Sequence, residues 1–419
     1  MEKALLVSVQ IKTDKGHWRI EDTSSELEEL ARSTSVEVIE NIICICQNAT
    51  ANYLIGKGKV EEISVIANEE GVDVVIFSHD LSGTQQRNLE RAIGKKTIDR
   101  TQLILDIFSR RAKSPEGKMQ VELAQLQYLL PRLSGKGVML SDLGGGVGTR
   151  GPGETKLEMD RRQIRKKIDK LKNDLKNFRL HRQTIRKKRK SNNLPLVALV
   201  GYTSAGKSTL LNLLTNSAQV TSEKLFTTLD PLSKSLQLSN GQNIVISDTV
   251  GFLHDLPHNL IEAFKATLEE VNEADLLIHV LDAADGRLYQ HNQAVQSVLK
   301  ELGANSVPMI VALNKVDLIA DRSWLEVSKQ DFKESVFISA KTGENLELLV
   351  SKIEGYFSSL MMSLKIIIPH RRMELVDFFY RMAKVNKIDY LQEGIRIELT
   401  ISRELYKKIG EDKDIKIIC

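Results

Sequence analysis

Cysteine is scarce in this chain of 419 residues: there are three, Cys44, Cys46 and Cys419. So few thiols cannot build the disulfide framework of a small secreted scaffold. Cys44 and Cys46 lack the two-residue gap of a zinc knuckle and no second pair follows. They read as thiols in an apolar strand, Ile42-Ile43-Cys44-Ile45-Cys46. Long apolar runs are missing as well, and none approaches the ~20 residues of a membrane-spanning helix. Met1-Glu2-Lys3-Ala4 opens no signal-peptide pattern, so a cytoplasmic protein with no membrane span is expected. Charge of one sign is also lacking, with 59 Lys and Arg against 55 Asp and Glu, a net of +4. Spread evenly, that balance argues against a nucleic-acid binder. Hydrophobic residues at 42% and charged residues at 27% exclude a fibrous, collagenous or wholly disordered chain, and the length calls for at least two domains.

The charge is not spread evenly. Residues 156–190 hold 16 Lys or Arg and four Asp or Glu, a net of +12, which leaves −8 for the remainder. Arg161-Arg162, Arg165-Lys166-Lys167 and Arg186-Lys187-Lys188-Arg189-Lys190 flank an apolar seam. A basic run of that density is better explained as a phosphate-backbone surface than as a solvated face. The seam itself is a heptad repeat. Met119, Leu123, Leu126, Leu130 and Leu133 alternate steps of four and three, and Leu157, Ile164, Ile168, Leu171, Leu175, Phe178 and Ile185 fit the same register. Between the two runs, residues 135–153 carry eight glycines in 19 positions. The simplest construction is an antiparallel helical hairpin over 113–193 with a glycine loop at its tip. Its expected RNA contacts are Gly144, Gly145, Gly146, Arg150 and Gly151 at the tip, and Arg161, Arg162, Arg165, Lys166, Lys187 and Lys188 along the arm.

On either side of the arm the chain reads as α/β. Residues 1–112 show a buried strand at Val72–Phe77 and helical spacing over Lys59–Asn68 and Gln85–Ile93. Neither a catalytic triad nor a metal cluster is visible there. Ile55-Gly56-Lys57-Gly58-Lys59 precedes a helix and reads as a turn rather than a phosphate site. From Leu194 to about residue 360, strands alternate with helices, the signature of a doubly wound parallel sheet, with strands expected at Leu196–Val200, Ile244–Ser247, Leu276–Leu281, Met309–Leu313 and Val336–Ile338. Residues 361–419 read as a small α/β appendix with a strand at Ile366-Ile367-Ile368 and a helix from Glu374 to Lys384.

The chemistry lies in the central segment. Gly201-Tyr202-Thr203-Ser204-Ala205-Gly206-Lys207-Ser208 fits the phosphate-loop pattern, with Thr209 next in the helix, a strand before it and an apolar helix after it. Glycines let backbone amides curl round phosphate oxygens at a helix N-terminus. Lys207 is expected to neutralise the β and γ phosphates, and Ser208 to ligate Mg²⁺. Thr227-Thr228-Leu229-Asp230-Pro231 offers the Thr228 hydroxyl to the metal. In Asp248-Thr249-Val250-Gly251, Asp248 would hold the Mg²⁺ shell and the Gly251 amide would sense the γ-phosphate. Asn314-Lys315-Val316-Asp317 ends a strand, and the Asp317 carboxylate can accept from guanine N1–H and the 2-amino group, donors that adenine lacks. The backbone of Ser339-Ala340-Lys341 can meet guanine O6. Five such strings in the right order and context point to GTP and GDP as ligands.

These strings, together with GGGVGTRGPGETKLEMDR (Gly144–Arg161), DRTQLILDIFSRRA (Asp99–Ala112), QVELAQLQYLLPRL (Gln120–Leu133) and DTVGFLHDLPHNLIEAFKATL (Asp248–Leu268), closely resemble the HflX family of GTPases over essentially the whole chain. The resemblance implies an N-terminal HflX-type α/β domain, a helical hairpin, a Ras-like GTPase domain and a short C-terminal domain. It implies ribosome binding, chiefly through the large subunit and its rRNA, with the GTP form splitting or rescuing stalled ribosomes, and reported ATP hydrolysis through the N-terminal region. Phe252 stands where Ras-like enzymes place the water-orienting glutamine. A phenyl ring cannot polarise water, so intrinsic hydrolysis is expected to be slow, with Lys207, Thr228, Gly251 and Phe252 as the catalytic and switch set. Ser204 stands where potassium-stimulated relatives carry Asn, which argues against potassium at the phosphates. Two other classes compete: an RNA-binding assembly factor with GTP as a structural clamp, and an RNA-modification GTPase, for which no reactive cysteine or second cofactor pocket is visible. Nothing in the sequence demands more than a monomer.

Overall fold

The computed structural model describes residues 2–13, 18–133, 152–191, 194–215, 232–255, 257, 260, 268–321, 330–332, 335–410, 412 and 414–418. Three sheets follow one another along the chain, with a helical arm between the first and the second.

The first sheet is built from β1 (Lys3–Ile11), β2 (Glu37–Cys46), β3 (Val74–Phe77) and β4 (Lys96–Asp99), all parallel, in the order β2-β1-β3-β4. The helices between them are α1 (Ile20–Ser33), α2 (Lys57–Glu69) and α3 (Gly83–Ile93), and α4 (Arg100–Arg111) follows β4. Ala4 to Val9 are buried without alternation, as a central strand covered on both faces requires. In the edge strand β2, by contrast, Cys44 is buried while Ile43 and Ile45 are exposed. Burial pushes the Cys44 thiol up to about 11, so it is a packing residue, as expected from its apolar strand. Asp99 ends β4 and caps α4. Its buried carboxylate accepts from the Gln102 and Leu81 amides at 2.8 and 3.0 Å, from Tyr128 Oη at 2.9 Å and from Arg132 Nη2 at 3.0 Å. That single side chain fastens the sheet to the arm.

The arm consists of α5 (Pro115–Arg132) and α6 (Pro152–Ser191). They are antiparallel: Glu116 at the start of α5 pairs with Arg182, whereas Glu122 further on pairs with Lys167. Leu123, Ile168 and Leu171 are buried in the seam, with Met119, Leu126, Leu130, Ile164 and Leu175 packed around them, as the heptads predict. Ile185 departs from that expectation and is 53% exposed. The physical reason is length, because α5 begins opposite Arg182 and no α5 residue faces α6 beyond it. The tip residues Gly144, Gly145, Gly146, Arg150 and Gly151 lie outside the described residues.

The central sheet has the order β10-β9-β8-β5-β7-β6. It comprises β5 (Leu196–Val200), β6 (Leu232–Gln237), β7 (Asn243–Asp248), β8 (Leu276–Asp282), β9 (Met309–Asn314) and β10 (Val336–Phe337), with helices α7 (Lys207–Thr215), α8 (Leu288–Glu301) and α9 (Leu346–Ser359). All five expected strands are present. The sixth, β6, is an antiparallel edge strand with a largely exposed polar sequence, LSKSLQ, which carries no apolar periodicity to read. The last sheet, β11 (Met361–Ile368), β12 (Lys384–Leu391), β13 (Gly394–Ser402) and β14 (Lys416–Ile418), is antiparallel in the order β12-β13-β11-β14. Helices α10 (Glu374–Met382) and α11 (Arg403–Gly410) cover one face, burying Ile366, Ile368, Phe379, Ile397 and Leu399. Among the described residues, no helix is long and apolar enough to cross a membrane.

Leu171 is 7% exposed at the centre of the arm's seam. Leu171→Ala is expected to weaken the packing of α5 against α6 by roughly 2–4 kcal/mol. Amide hydrogen exchange should speed up in both helices while the central sheet stays protected. Unchanged exchange in α5 would remove the seam from the forces holding the arm together.

Candidate nucleotide site

Strand β5 ends at Val200 and the chain turns sharply into α7. Gly201 lies so close to β8 that an added Cβ would stand 2.2 Å from the Val280 carbonyl oxygen. Ser204 has φ +58, a left-handed conformation that glycine and asparagine adopt more readily than serine. Lys207 closes the loop. Its ammonium donates to the Gly201 and Tyr202 carbonyls at 3.0 and 2.8 Å, which aims it across the loop mouth. Burial pushes it down to about 8, against the pull of Asp248. Beneath it, His279 of β8 is fully buried; burial, then the nearby Lys207 charge, pushes it down to about 3, so the ring is neutral at physiological pH. Thr203 is buried, and its hydroxyl finds no partner among the described residues. A phosphate oxygen would satisfy it.

The metal-type residues meet as the sequence implies. Ser208 Oγ donates to Asp248 Oδ2 at 2.6 Å, so a hydroxyl from α7 and a carboxylate from β7 converge on one point beside Lys207. Such a pair fits one hard divalent cation with the rest of its shell supplied by water and phosphate. Thr228, the third expected ligand, lies outside the described residues. Gly251 packs against Thr203 so tightly that an added Cβ would sit 2.8 Å from Thr203 Cγ2 and 3.2 Å from Lys207 Nζ.

The base-side residues form one bonded unit. Asn314 Nδ2 donates to the Ala205 carbonyl at 2.8 Å, while Asn314 Oδ1 accepts from the Ala340 amide at 2.8 Å. Asn314 therefore ties the phosphate loop to the Ser339-Ala340-Lys341 loop, with one amide hydrogen left over. Ser339 Oγ donates to Asp317 Oδ1 at 2.6 Å, which orients that carboxylate. Lys315 has φ +66, and its ammonium reaches Asp282 at 2.6 Å. Asp317 is exposed in this structure, not buried as its discriminating role suggests; the base itself would have to cover it.

Two residues of the expected set send their side chains into the apolar surroundings. Tyr202 contributes backbone to the loop, but its side chain turns away, because the ring stacks 3.9 Å from His291 and 6.2 Å from Trp18. Its hydroxyl accepts from the His254 amide at 3.1 Å. Phe252 is 1% exposed and sits in the apolar core. Its amide donates to the Gly201 carbonyl and its carbonyl accepts from the Thr203 amide, at 3.1 and 2.9 Å. A ring held there packs the switch segment against the core.

Sequence reasoning missed what the first sheet brings to this site. Arg100, at the start of α4, is buried and pairs with Glu26 of α1 at 2.8 Å. Its guanidinium also donates to the carbonyls of His254 and Asp255, the latter at 3.0 Å. Trp18 lies 4.5 Å from the His254 ring. A cleft of about 480 Å³ opens between α1 and the phosphate loop, lined by Glu26, Arg32, Thr203, Ser204, Arg287 and Lys315. Arg100 lies in the DRTQLILDIF string, yet nothing local in that string announces a partner 154 residues away.

The glycine at 206 gives a direct check. It has φ +96, and an added Cβ would meet Asn314 Nδ2 at 2.2 Å. Gly206→Ala is therefore expected to break the Asn314 tie and lower GDP affinity by ~10- to 100-fold, the 1–3 kcal/mol scale of such strain. Isothermal titration with unchanged affinity would mean that Asn314 does not hold the two loops together.

Comparison with known proteins agrees with this geometry. Residues 196–315 match the family model described as "50S ribosome-binding GTPase", and residues 325–416 match "HflX C-terminal domain". Residues 21–109 and 111–189 match "GTP-binding GTPase N-terminal" and "GTP-binding GTPase Middle Region". The chain is 42% identical to the GTPase HflX of Caldanaerobacter subterraneus subsp. tengcongensis, over 97% of this chain and 93% of that protein. It is 38% identical to the GTPase HflX of Escherichia coli, over 96% of this chain and 93% of that protein. Among solved structures, a GTP-binding protein from Sulfolobus solfataricus in complex with GDP is 25% identical, with a TM-score of 0.43 over 85% of this chain and 98% of that one. A phosphate loop, a switch strand and a guanine-type loop are tied to one another by hydrogen bonds, and the relatives match over nearly the full length of the chain. The chain is a GTP-binding, GTP-hydrolysing member of the HflX family of GTPases.

Proposed function

We propose that this protein is a slow, Mg²⁺-dependent GTPase that binds the large ribosomal subunit in its GTP state and splits or rescues stalled ribosomes. The observation that carries this reading is the presence, in one chain, of a nucleotide switch with the buried Phe252 after Gly251 and a basic helix of 40 residues. On that helix Arg162, Arg165, Lys166, Lys187 and Lys188 are exposed, whereas Arg161 is half-buried. The match of residues 196–315 to ribosome-binding GTPases supports the same partner. The reading divides the chain into an N-terminal domain (1–112), the hairpin (113–193), the GTPase domain (194–360) and a C-terminal domain (361–419). It makes the protein a cytoplasmic, ribosome-associated monomer.

In this mechanism Lys207 and the loop amides of residues 201–209 hold the phosphates. Ser208 and Asp248, with Thr228, would hold Mg²⁺, which would supply positive charge to the phosphates. Asp317 reads the guanine edge, the backbone of the Ser339-Ala340-Lys341 loop meets O6, and Lys315 flanks the base. The Gly251 amide senses the γ-phosphate. The buried Phe252 ring offers the water no polarising group, so turnover waits for an element ordered by the ribosome. The phosphates of rRNA meet the exposed arm, and the glycine tip (Gly144–Gly146, Arg150, Gly151) enters a narrow RNA cavity.

Four experiments test this. Asp317→Asn is expected to lower GTP affinity by at least ~100-fold and to raise affinity for xanthosine triphosphate, because the amide mispairs with the 2-amino group. Equal GTP affinity in the variant would remove Asp317 from base recognition. Lys187→Ala with Lys188→Ala should weaken large-subunit binding and reduce its logarithmic salt slope by roughly 0.7–0.9 for each phosphate no longer neutralised. An unchanged slope in sedimentation at stepped salt returns this end of the arm to a solvated face. Replacing residues 144–153 with a short turn should spare GTP binding and abolish subunit splitting. Single-turnover hydrolysis that large subunits fail to accelerate would favour GTP as a structural clamp.

A further inference from the structure

The basic run at the root of the arm does not all face outward. Arg179 Nη2 lies 2.8 Å from Glu269 Oε1, and Arg186 Nη1 lies 3.3 Å from Glu269 Oε2, so one carboxylate takes two arginines of α6. The Arg186 and Glu269 side chains are only 13% and 14% exposed. One turn on, Arg189 is half-buried within electrostatic range of Glu270, Asp275 and Glu273. Removing one partner from such a cluster strands a partly buried charge, which makes the contact firm.

The acidic side of the cluster leads into the nucleotide site. Glu269 and Glu270 lie in the helical residues 268–272, between the switch segment and β8. Neighbours on a helix point about 100° apart, so Glu269 faces the arm while Glu270 turns to the sheet. Glu270 Oε2 accepts from the hydroxyl of Ser247 at 2.5 Å. Ser247 is fully buried, accepts from Ser233 Oγ at 3.3 Å, and immediately precedes Asp248. A bonded path thus runs from the root of the arm through two adjacent carboxylates to the residue beside the expected Mg²⁺ ligand.

We propose that Glu269 and Glu270 are positioning residues that couple the arm to the nucleotide switch. RNA contact along α6 shifts the 268–272 turn and with it Asp248 to Gly251, and the nucleotide state in turn sets the seating of α6. Reciprocity is required of any such coupling between binding equilibria. This rests on the reading of the arm as the RNA contact, so its test includes a readout without ribosomes.

The variant is Glu269→Gln in the full chain, with GDP affinity as the check on folding. Wild-type amide exchange in α6 near Arg179–Arg189 should differ between the GDP and GTP-analogue states, in step with Asp248–Asp255. In Glu269→Gln the α6 response should vanish while the switch response persists. With large subunits, basal hydrolysis should stay unchanged, and the preference of the subunit for the GTP state should shrink at least ~5-fold. Pairing Glu269→Arg with Arg186→Glu should restore both. Wild-type α6 exchange that is identical in the two nucleotide states overturns the proposal, and so does a Glu269→Gln protein that keeps the full α6 response. Failure of the wild type to bind large subunits would instead refute the arm's RNA role and leave the exchange result to decide the coupling.

Discussion

A buried arginine cannot be left alone, and Arg100 shows what its burial enforces. Its guanidinium is removed from water at the junction of the first and central sheets, where an unpaired cation would be costly. Glu26 supplies the counter-charge, and the carbonyls of His254 and Asp255 take the remaining hydrogen bonds. Those carbonyls follow Asp248-Thr249-Val250-Gly251, so the first sheet is held to the segment that leads out of the nucleotide site. Trp18, Tyr202 and His291 pack beside it, and the two aromatic rings of Trp18 and Tyr202 share one apolar cluster with the core of the central sheet. Two carbonyls and a ring stack thus join the two units at this junction, with the Glu26 pair holding Arg100 in place and an Arg287–Glu29 pair beside it.

Local patterns made the architecture legible. Parallel strands covered on both faces read as unbroken apolar runs, and β5, β8 and β9 lie where such runs stand. The arm's seam followed from its heptads because a two-helix contact repeats with the sequence. The edge strand β6 and the β12–β13 hairpin were not legible, since a strand with one open side or a polar face has no periodicity strong enough to stand out. The exposure of Ile185 also escaped, because the register tells where a side chain points and not where its partner helix ends.

At the site, spacing identified the residues but not the direction of their side chains. The phosphate loop is local, so Gly201, Gly206 and Lys207 lie as their motif requires. Tyr202 occupies a position that the motif leaves free, and the adjoining sheet claimed its ring. Phe252 followed the same rule, with its backbone in the switch and its ring in the core. Charge runs misled in a similar way. Arg186 and Arg189 share a string with Lys187 and Lys188, yet two of the four turn inward to carboxylates more than 80 residues away.

The arm also has a mechanical property that follows from its unequal helices. From Arg186 to Pro152 the helix α6 extends about 50 Å at 1.5 Å per residue. A tilt of about 5° at its root therefore displaces the far end by about 4 Å, more than a hydrogen-bond length. The carboxylate of Glu269 sits close to the fulcrum, where small shifts are magnified most. The protein thus carries a lever whose short side is an ion pair and whose long side is a helix stiffened along part of its length by a partner.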